Sequence, residues 1–271
     1  MLRSSAVFFG VVFAVGSAAP ALAGPPAIGT IIAAGDEWIF SDQAYDADAV
    51  QASRLALNIA DAMAGGQAGA DFLVYTTENR VRNGNLAATM TDAGYGWDRN
   101  TTLTFDLPTL QTYDGIWLSG DLGRSPAEMA VLQDYVTQGG SVFVLGGTSG
   151  SGAEIAAAWN PLLSLGGLAF DDEKFPGSFT ASFEVNAGSS TLDDGVSSIF
   201  WGNGQNVLGV TGVQPDVGSI EFVTADFSGE VFMGQALSSA EPIIGIFQIP
   251  APSGLAVLAA AGLAATRRRR G

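Results

Sequence analysis

The chain has 271 residues and contains neither Cys nor His. Disulfides, Cys–His and Ser–His–Asp catalysis, and zinc sites built on those side chains are therefore excluded. Arg3 and Arg267–Arg270 account for five of the 11 basic residues, so the central part carries six basic against 27 acidic residues, a net of −21. Such a surface repels nucleic acid and anionic lipid, and it is compatible with cations, basic partners and neutral sugars.

In chain order, Arg3, the apolar run Ala6 to Val15 and the small-residue site Ala21-Leu22-Ala23 read as a secretory signal peptide cleaved after Ala23. Glu37 to Phe40 reads as a short apolar strand. Ala47 to Met63 reads as a helix, with Val50, Leu55, Leu57, Ile59 and Met63 in a stripe and Gly65-Gly66 as its stop. Phe72 to Tyr75 is a buried-type strand, Asn85 to Ala93 a helix stopped by Gly94, and Thr101 to Phe105 and Gly115 to Leu118 are strands. Ser125-Pro126-Ala127-Glu128 opens a helix that runs to Gln138 before Gly139-Gly140. Ser141 to Leu145 is a core strand, Gly146 to Gly152 a glycine-rich loop, and Ala153 to Leu165 a helix interrupted at Asn160-Pro161. Repeated βα units of this kind predict a parallel sheet with helices on both faces. Beyond Leu168 the pattern turns to strands: Phe179 to Val185, Val196 to Trp201, Val217 to Ala225, Val231 to Met233 and Ile243 to Phe247. These extend the sheet or form a small β-rich cap. The expected organisation is residues 1–23 as leader, 24–248 as one domain and 249–271 as a tail.

The tail reads Ile249-Pro250-Ala251-Pro252-Ser253, an apolar run from Gly254 to Ala265, and Arg267, Arg268, Arg269 and Arg270. About 12 apolar residues fall short of the roughly 20 that a spanning helix needs, so the segment must borrow Ile243 to Phe247, tilt little or thin the bilayer. The arginines would stay on the cytoplasmic side. This tail resembles the PEP-CTERM sorting signal, also called the ice-binding-protein C-terminal domain, with Pro250-Ala251-Pro252 where that family has Pro-Glu-Pro. The resemblance implies a bacterial exported protein of the cell envelope or extracellular matrix. It implies passage through Sec-type export machinery, a transient transmembrane anchor, and processing by an exosortase-like transpeptidase beside extracellular polysaccharide.

The run Tyr113 to Asp121, the helix after it and the run Gly139 to Gly147 resemble the class I glutamine-amidotransferase-like, flavodoxin-like fold over roughly residues 36–210. The stretch Asp194 to Ile199 adds to that resemblance. It implies a mostly parallel sheet with flanking helices and, here, a β-rich C-terminal extension. The amidotransferases use a Cys nucleophile with a His and a Glu, so the fold is carried over without any catalytic residue.

Ligands of open α/β sheets bind beyond the carboxyl ends of the strands. The loops expected there supply Ser119, Asp121, Thr148, Ser149 and Ser151 as candidate ligand-binding residues. Asp36-Glu37-Trp38 joins them if the first strand is Thr30 to Ala33. The glycine-rich loop lacks the Gly-Lys-Ser/Thr of a phosphate-binding loop, and Lys174 is the chain's only lysine. Ser149 and Ser151 lie outside any Gly-x-Ser-x-Gly elbow. Of the tryptophans, Trp201, in Trp-Gly-Asn-Gly, is the most turn-like and best placed to stack on a sugar. Asp42, Asp46 and Asp48, and Asp171, Asp172 and Glu173, are candidate Ca²⁺ ligands, although none matches a D-x-D-x-D-G loop. Three readings stay open: a non-catalytic domain for binding or assembly, a carboxylate- or Ca²⁺-dependent enzyme on extracellular glycan, and a Ca²⁺-stabilised adhesion module.

Overall fold

The computed structural model describes residues 29–120, 124–147, 150–175, 180–210, 218–228, 231–232, 235–236 and 238–248. The leader with Ala23, the tail with Pro250, Pro252 and Arg267–Arg270, and the loop residues Asp121, Thr148 and Ser149 lie outside them.

The first strand, β1, is Ile31–Ala34, and all four side chains are buried. It ends at Gly35, where a Cβ would stand 1.7 Å from the carbonyl oxygen of Gln205. Asp36 then caps a 3-10 helix, Glu37–Phe40, by accepting from the Trp38 amide. The strand expected at Glu37 to Phe40 is thus a capped helical turn one step beyond the true strand. Helix α1, Asp42–Ala64, bends at Asp48, whose carboxylate accepts from the amides of Val50 and Gln51. The helix expected from Ala47 is the segment that Asp48 caps. It closes at Gly65 in the left-handed region, φ 60°.

Strand β2 is Asp71–Val74, helix α2 Gly84–Asp92 and strand β3 Gly96–Asp98. Residues 101–105, expected as a strand, are irregular. Asn100 holds Thr102 by its amide and hydroxyl, and the Phe105 ring turns inward to 4.4 Å from that of Tyr75. A short helix, α3, spans Leu107–Leu110. Strand β4, Gly115–Ser119, helix α4, Pro126–Thr137, and strand β5, Ser141–Leu145, follow as their sequence signals require, and Ser125 and Glu128 form the capping box. Helix α5, Gly152–Leu163, runs through Asn160-Pro161 without interruption. Proline there removes one bond, close to the helix end, and Asn160 instead pairs its side chain with the backbone of Phe170.

The remaining strands are β6, Leu168–Lys174; β7, Ala181–Val185; β8, Ser198–Trp201; β9, Gln205–Gly209; β10, Ser219–Asp226; β11, Val231–Phe232; β12, Gln235–Ala236; and β13, Glu241–Gln248. Among the described residues, nine strands form one sheet in the order β3-β2-β4-β5-β1-β13-β10-β7-β8. The half from β3 to β1 is parallel, and every pair from β1 to β8 is antiparallel. The protein is therefore α/β, with one large mixed sheet. Four of the late strands, β13, β10, β7 and β8, extend the sheet, which is one of the two outcomes expected; β6 and β9, which are not among the expected strands, pair as a separate ribbon, and β11 pairs with β12.

Neighbouring side chains of β1 leave the sheet in opposite directions. Ile32 and Ala34 join the core under α1 and α2; Ile31 and Ala33 join the core under α4, α5, β6 and β9. A strand covered on both faces must be apolar throughout, which is why its sequence shows no alternation. The last strand, β13, lies between β1 and β10, with Ile31 opposite Phe247. Ile243 to Phe247 are buried there, so the expectation that they lengthen a bilayer segment is corrected. Both ends of the described domain, Gly29 and Gln248, lie at the amino edge of the parallel strands. Among the described residues, no helix is long and apolar enough to cross a membrane.

Candidate functional site

The chain leaves β2 for β3 on one side and then crosses to β4 on the other. The carboxyl ends of β2 and β4 therefore flank a topological switch point, where open α/β sheets form a crevice. Four polar residues at this edge are almost wholly buried: Asp36 after β1, Glu37 beside it, Thr76 after β2 and Ser119 at the end of β4. Buried polar groups need partners, and these four find them across the edge.

Glu37 is the hub. One carboxylate oxygen accepts from the Arg80 guanidinium at 2.7 Å, and the other accepts from the Ser119 hydroxyl at 3.0 Å. Arg80 also reaches Glu78 at 3.0 Å and lies 4.2 Å over the Trp38 ring. On Trp38 the backbone of Gly202 comes so close that a Cβ would stand 2.4 Å from the indole. Thr76 donates to the carbonyl of Ser119 at 3.0 Å and ties β2 to β4. Beyond Ser119, Trp159 donates to the Gly120 carbonyl at 3.0 Å, and the Arg124 guanidinium stands 5.1 Å from the Tyr75 ring and 5.9 Å from that of Trp159.

Asp36 locks the edge to the far half of the sheet. Its carboxylate accepts from the amides of Trp38, Gly202 and Asn203 at 2.9, 2.6 and 2.8 Å. Burial nevertheless outweighs these bonds and pushes its pKa from 3.8 up to about 6. Between those two values the folded state holds a proton that the unfolded chain has released. Stability is thus favoured below pH 4, falls as pH rises from 4 to 6, and levels off above. The step amounts to about 3 kcal/mol. In Asp36→Asn that step should vanish, whereas general acidic self-repulsion stays. Urea unfolding of both proteins at pH 4.5 and 7 checks this; equal pH dependence in the two proteins contradicts it.

Of the residues singled out in the sequence, Ser119 stands in this cluster, and Asp36-Glu37-Trp38 reaches it because β1 ends at Ala34. Ser151 is at the same edge, engaged in a capping box with Glu154. Trp201 is a correction: its ring is fully buried against Phe175 and Phe227, so it has no free face for a sugar. Asp42 accepts from Asn85, Asp48 caps its helix, and Asp46 is exposed on α1. Asp171 accepts from the Glu173 amide, while Asp172 and Glu173 are exposed along β6. Among the described residues, no three carboxylates gather as a metal site. The sequence reading passed over Tyr75, Thr76, Arg80 and Arg124. Their signal was position, each following a strand at its carboxyl end.

Compared with protein-family models, with curated proteins and with solved structures, the chain matches none.

Proposed function

We propose that this chain is an exported protein of the bacterial envelope or matrix, held there by its PEP-CTERM-like tail, and that its α/β domain binds a partner at the carboxyl edge without turning it over. The observation that carries this reading is the closed circuit around Glu37. A serine hydroxyl that donates to a carboxylate already paired with a guanidinium is not activated for attack, because that carboxylate is a weak base. Ser119 and Glu37 therefore shape and rigidify the edge.

The strand order supports a flavodoxin-like domain with a shifted start. Counted from β2, the parallel half reads 2-1-3-4-5, and β1 fills the fifth place. The tail continues from Gln248 at the amino edge, so anchoring would turn the carboxyl edge outward. Fractionation of cells that express the full chain, or a chain ending at Gln248, tests the anchoring. The full chain is expected in the envelope fraction and the shortened chain in the soluble exported fraction. The same distribution for both would overturn the tail's role.

A further inference from the structure

Helices α1 and α2 leave an open groove between them, about 530 Å³ in volume and apolar at its centre, where Tyr45, Ala49 and Leu57 face Ala88. Its two hydroxyls, Ser53 and Thr89, satisfy each other at 3.1 Å and ask nothing of an occupant. On the α1 side stands Val50, 68% exposed, the most exposed large apolar side chain among the described residues. Asp42 and Asp46 lie at one end of the same helix face, in step with Ala49, Ser53 and Leu57, and both are exposed. Neither forms an ion pair among the described residues. At the opposite end of α1, the last described residue of the chain, Gln248, shares a cleft with Asn58, Asp61 and Gly65. The tail therefore sets out beside the turn of α1 that follows Leu57.

We infer that the groove is a docking site for the chain's own tail: the run from Gly254 to Ala265 lies in it antiparallel to α1, and Arg267 to Arg270 meet Asp42 and Asp46. The lengths agree. Tyr45 to Leu57 spans about 18 Å of helix, and the twelve residues of the run, wound as a helix, measure about 18 Å. Ala and Leu, the best helix formers, fill nine of those twelve places. Residues 249 to 253, extended, reach about 17 Å, enough to pass around a helix about 10–12 Å across. Small side chains at Ala49 and Ala88 let another helix approach closely. Charge sets the direction, because only the antiparallel placement brings four arginines to two unpaired carboxylates. The run also needs cover. Ile243 to Phe247 belong to β13, so they cannot lengthen it, and alone it is too short for a hydrocarbon core about 30 Å thick. The groove is shallow, so the tail can leave it for a bilayer without unfolding the domain. This docking stands apart from the anchoring proposed above, which cell fractionation tests separately.

The test uses the full chain, whose lack of Cys lets two introduced thiols report one contact. Ala49→Cys is combined in turn with Ala260→Cys, Ala261→Cys and Gly262→Cys, which together cover most of a helical turn. The control replaces Ala49→Cys with Ala127→Cys, on the exposed start of α4 across the sheet. In dilute solution with oxidised glutathione, at least one Ala49→Cys pair should close within a single chain about tenfold faster than any control pair. Asp42→Asn with Asp46→Asn, or added salt, should slow that closure. Equal rates in test and control pairs would show a loose tail and overturn the inference. Disulfides formed between chains instead of within one would give the groove to a second copy and overturn it too. Should the paired variants melt early, Ala88→Trp gives a second reading, because it fills the groove from an exposed position. It should release the tail and raise binding of the full chain to neutral phosphatidylcholine vesicles. Vesicle binding equal to that of the parent would overturn the inference.

Discussion

Ending the chain at Gln248 is expected to leave its melting temperature within about 2 °C, whereas ending it at Ala240 is expected to abolish cooperative unfolding. The difference is strand β13. It lies between β1 and β10 and joins the first strand of the domain to its antiparallel half. Ile243, Ile244, Ile246 and Phe247 are buried on it, and Gly245 packs against Val207, Leu168 and Phe222. Burying each large apolar side chain is worth about 1.5–3 kcal/mol, so these four rival the whole stability of an ordinary domain, about 5–15 kcal/mol. Losing β13 also strips the hydrogen-bond partners of β1, and the 3-10 helix that carries Glu37 follows β1 directly. Circular dichroism melts of the two truncations decide the matter. A chain ending at Ala240 that melts like the full protein would put Ile243 to Phe247 outside the sheet and free for a membrane segment.

Trp117→Ala should cost about 3–5 kcal/mol and lower the melting temperature by about 10 °C or more. The indole is fully buried on β4, with ring centroids 4.7 Å from Phe143, 4.9 Å from Trp97 and 5.7 Å from Phe40. Truncation empties the centre of the core beneath α1 and α2. It also undercuts Phe40, the last residue of the 3-10 helix that presents Glu37 to Ser119. Trp117→Phe should be far milder, below about 1.5 kcal/mol, because the buried indole N–H has no acceptor among the described residues that the change would strand. Urea midpoints for both variants check this, with unchanged slopes showing that only stability has moved. A midpoint for Trp117→Ala close to that of the parent would contradict the core placement.

Local chemistry was legible wherever a residue acts on its own neighbours. Ser125-Pro126-x-Glu128 announces a capping box, Gly65 a left-handed helix end, and Ser141 to Leu145 a strand buried on both faces. What the sequence concealed depends on contacts far along the chain. Glu37 to Phe40 looks like a strand until Gly35 meets Gln205 and Asp36 reaches the amides of residues 202 and 203. Trp201 looks like a turn residue because three glycine or asparagine neighbours follow it, yet Phe175 and Phe227 close over its ring. The β6–β9 ribbon and the insertion of β13 beside β1 leave no local mark, since any apolar strand could occupy those places. At the site, Ser119 was legible from the strand before it. Arg80 and Arg124 were not, because their importance comes from meeting Glu37, Tyr75 and Trp159 across three connections.

The central claim is that partners are met at the carboxyl edge of the parallel strands. It is tested most directly by blocking that edge on an exposed residue and measuring retention of the full chain on isolated envelope material. Asn79→Trp places a bulky ring on the exposed turn after β2, and Gln67→Trp places the same ring at the amino edge as a control. With both variants melting like the parent, Asn79→Trp is expected to lose retention and Gln67→Trp to keep it. Retention that survives Asn79→Trp and is lost in Gln67→Trp would contradict the claim and move the binding surface to the opposite edge of the sheet.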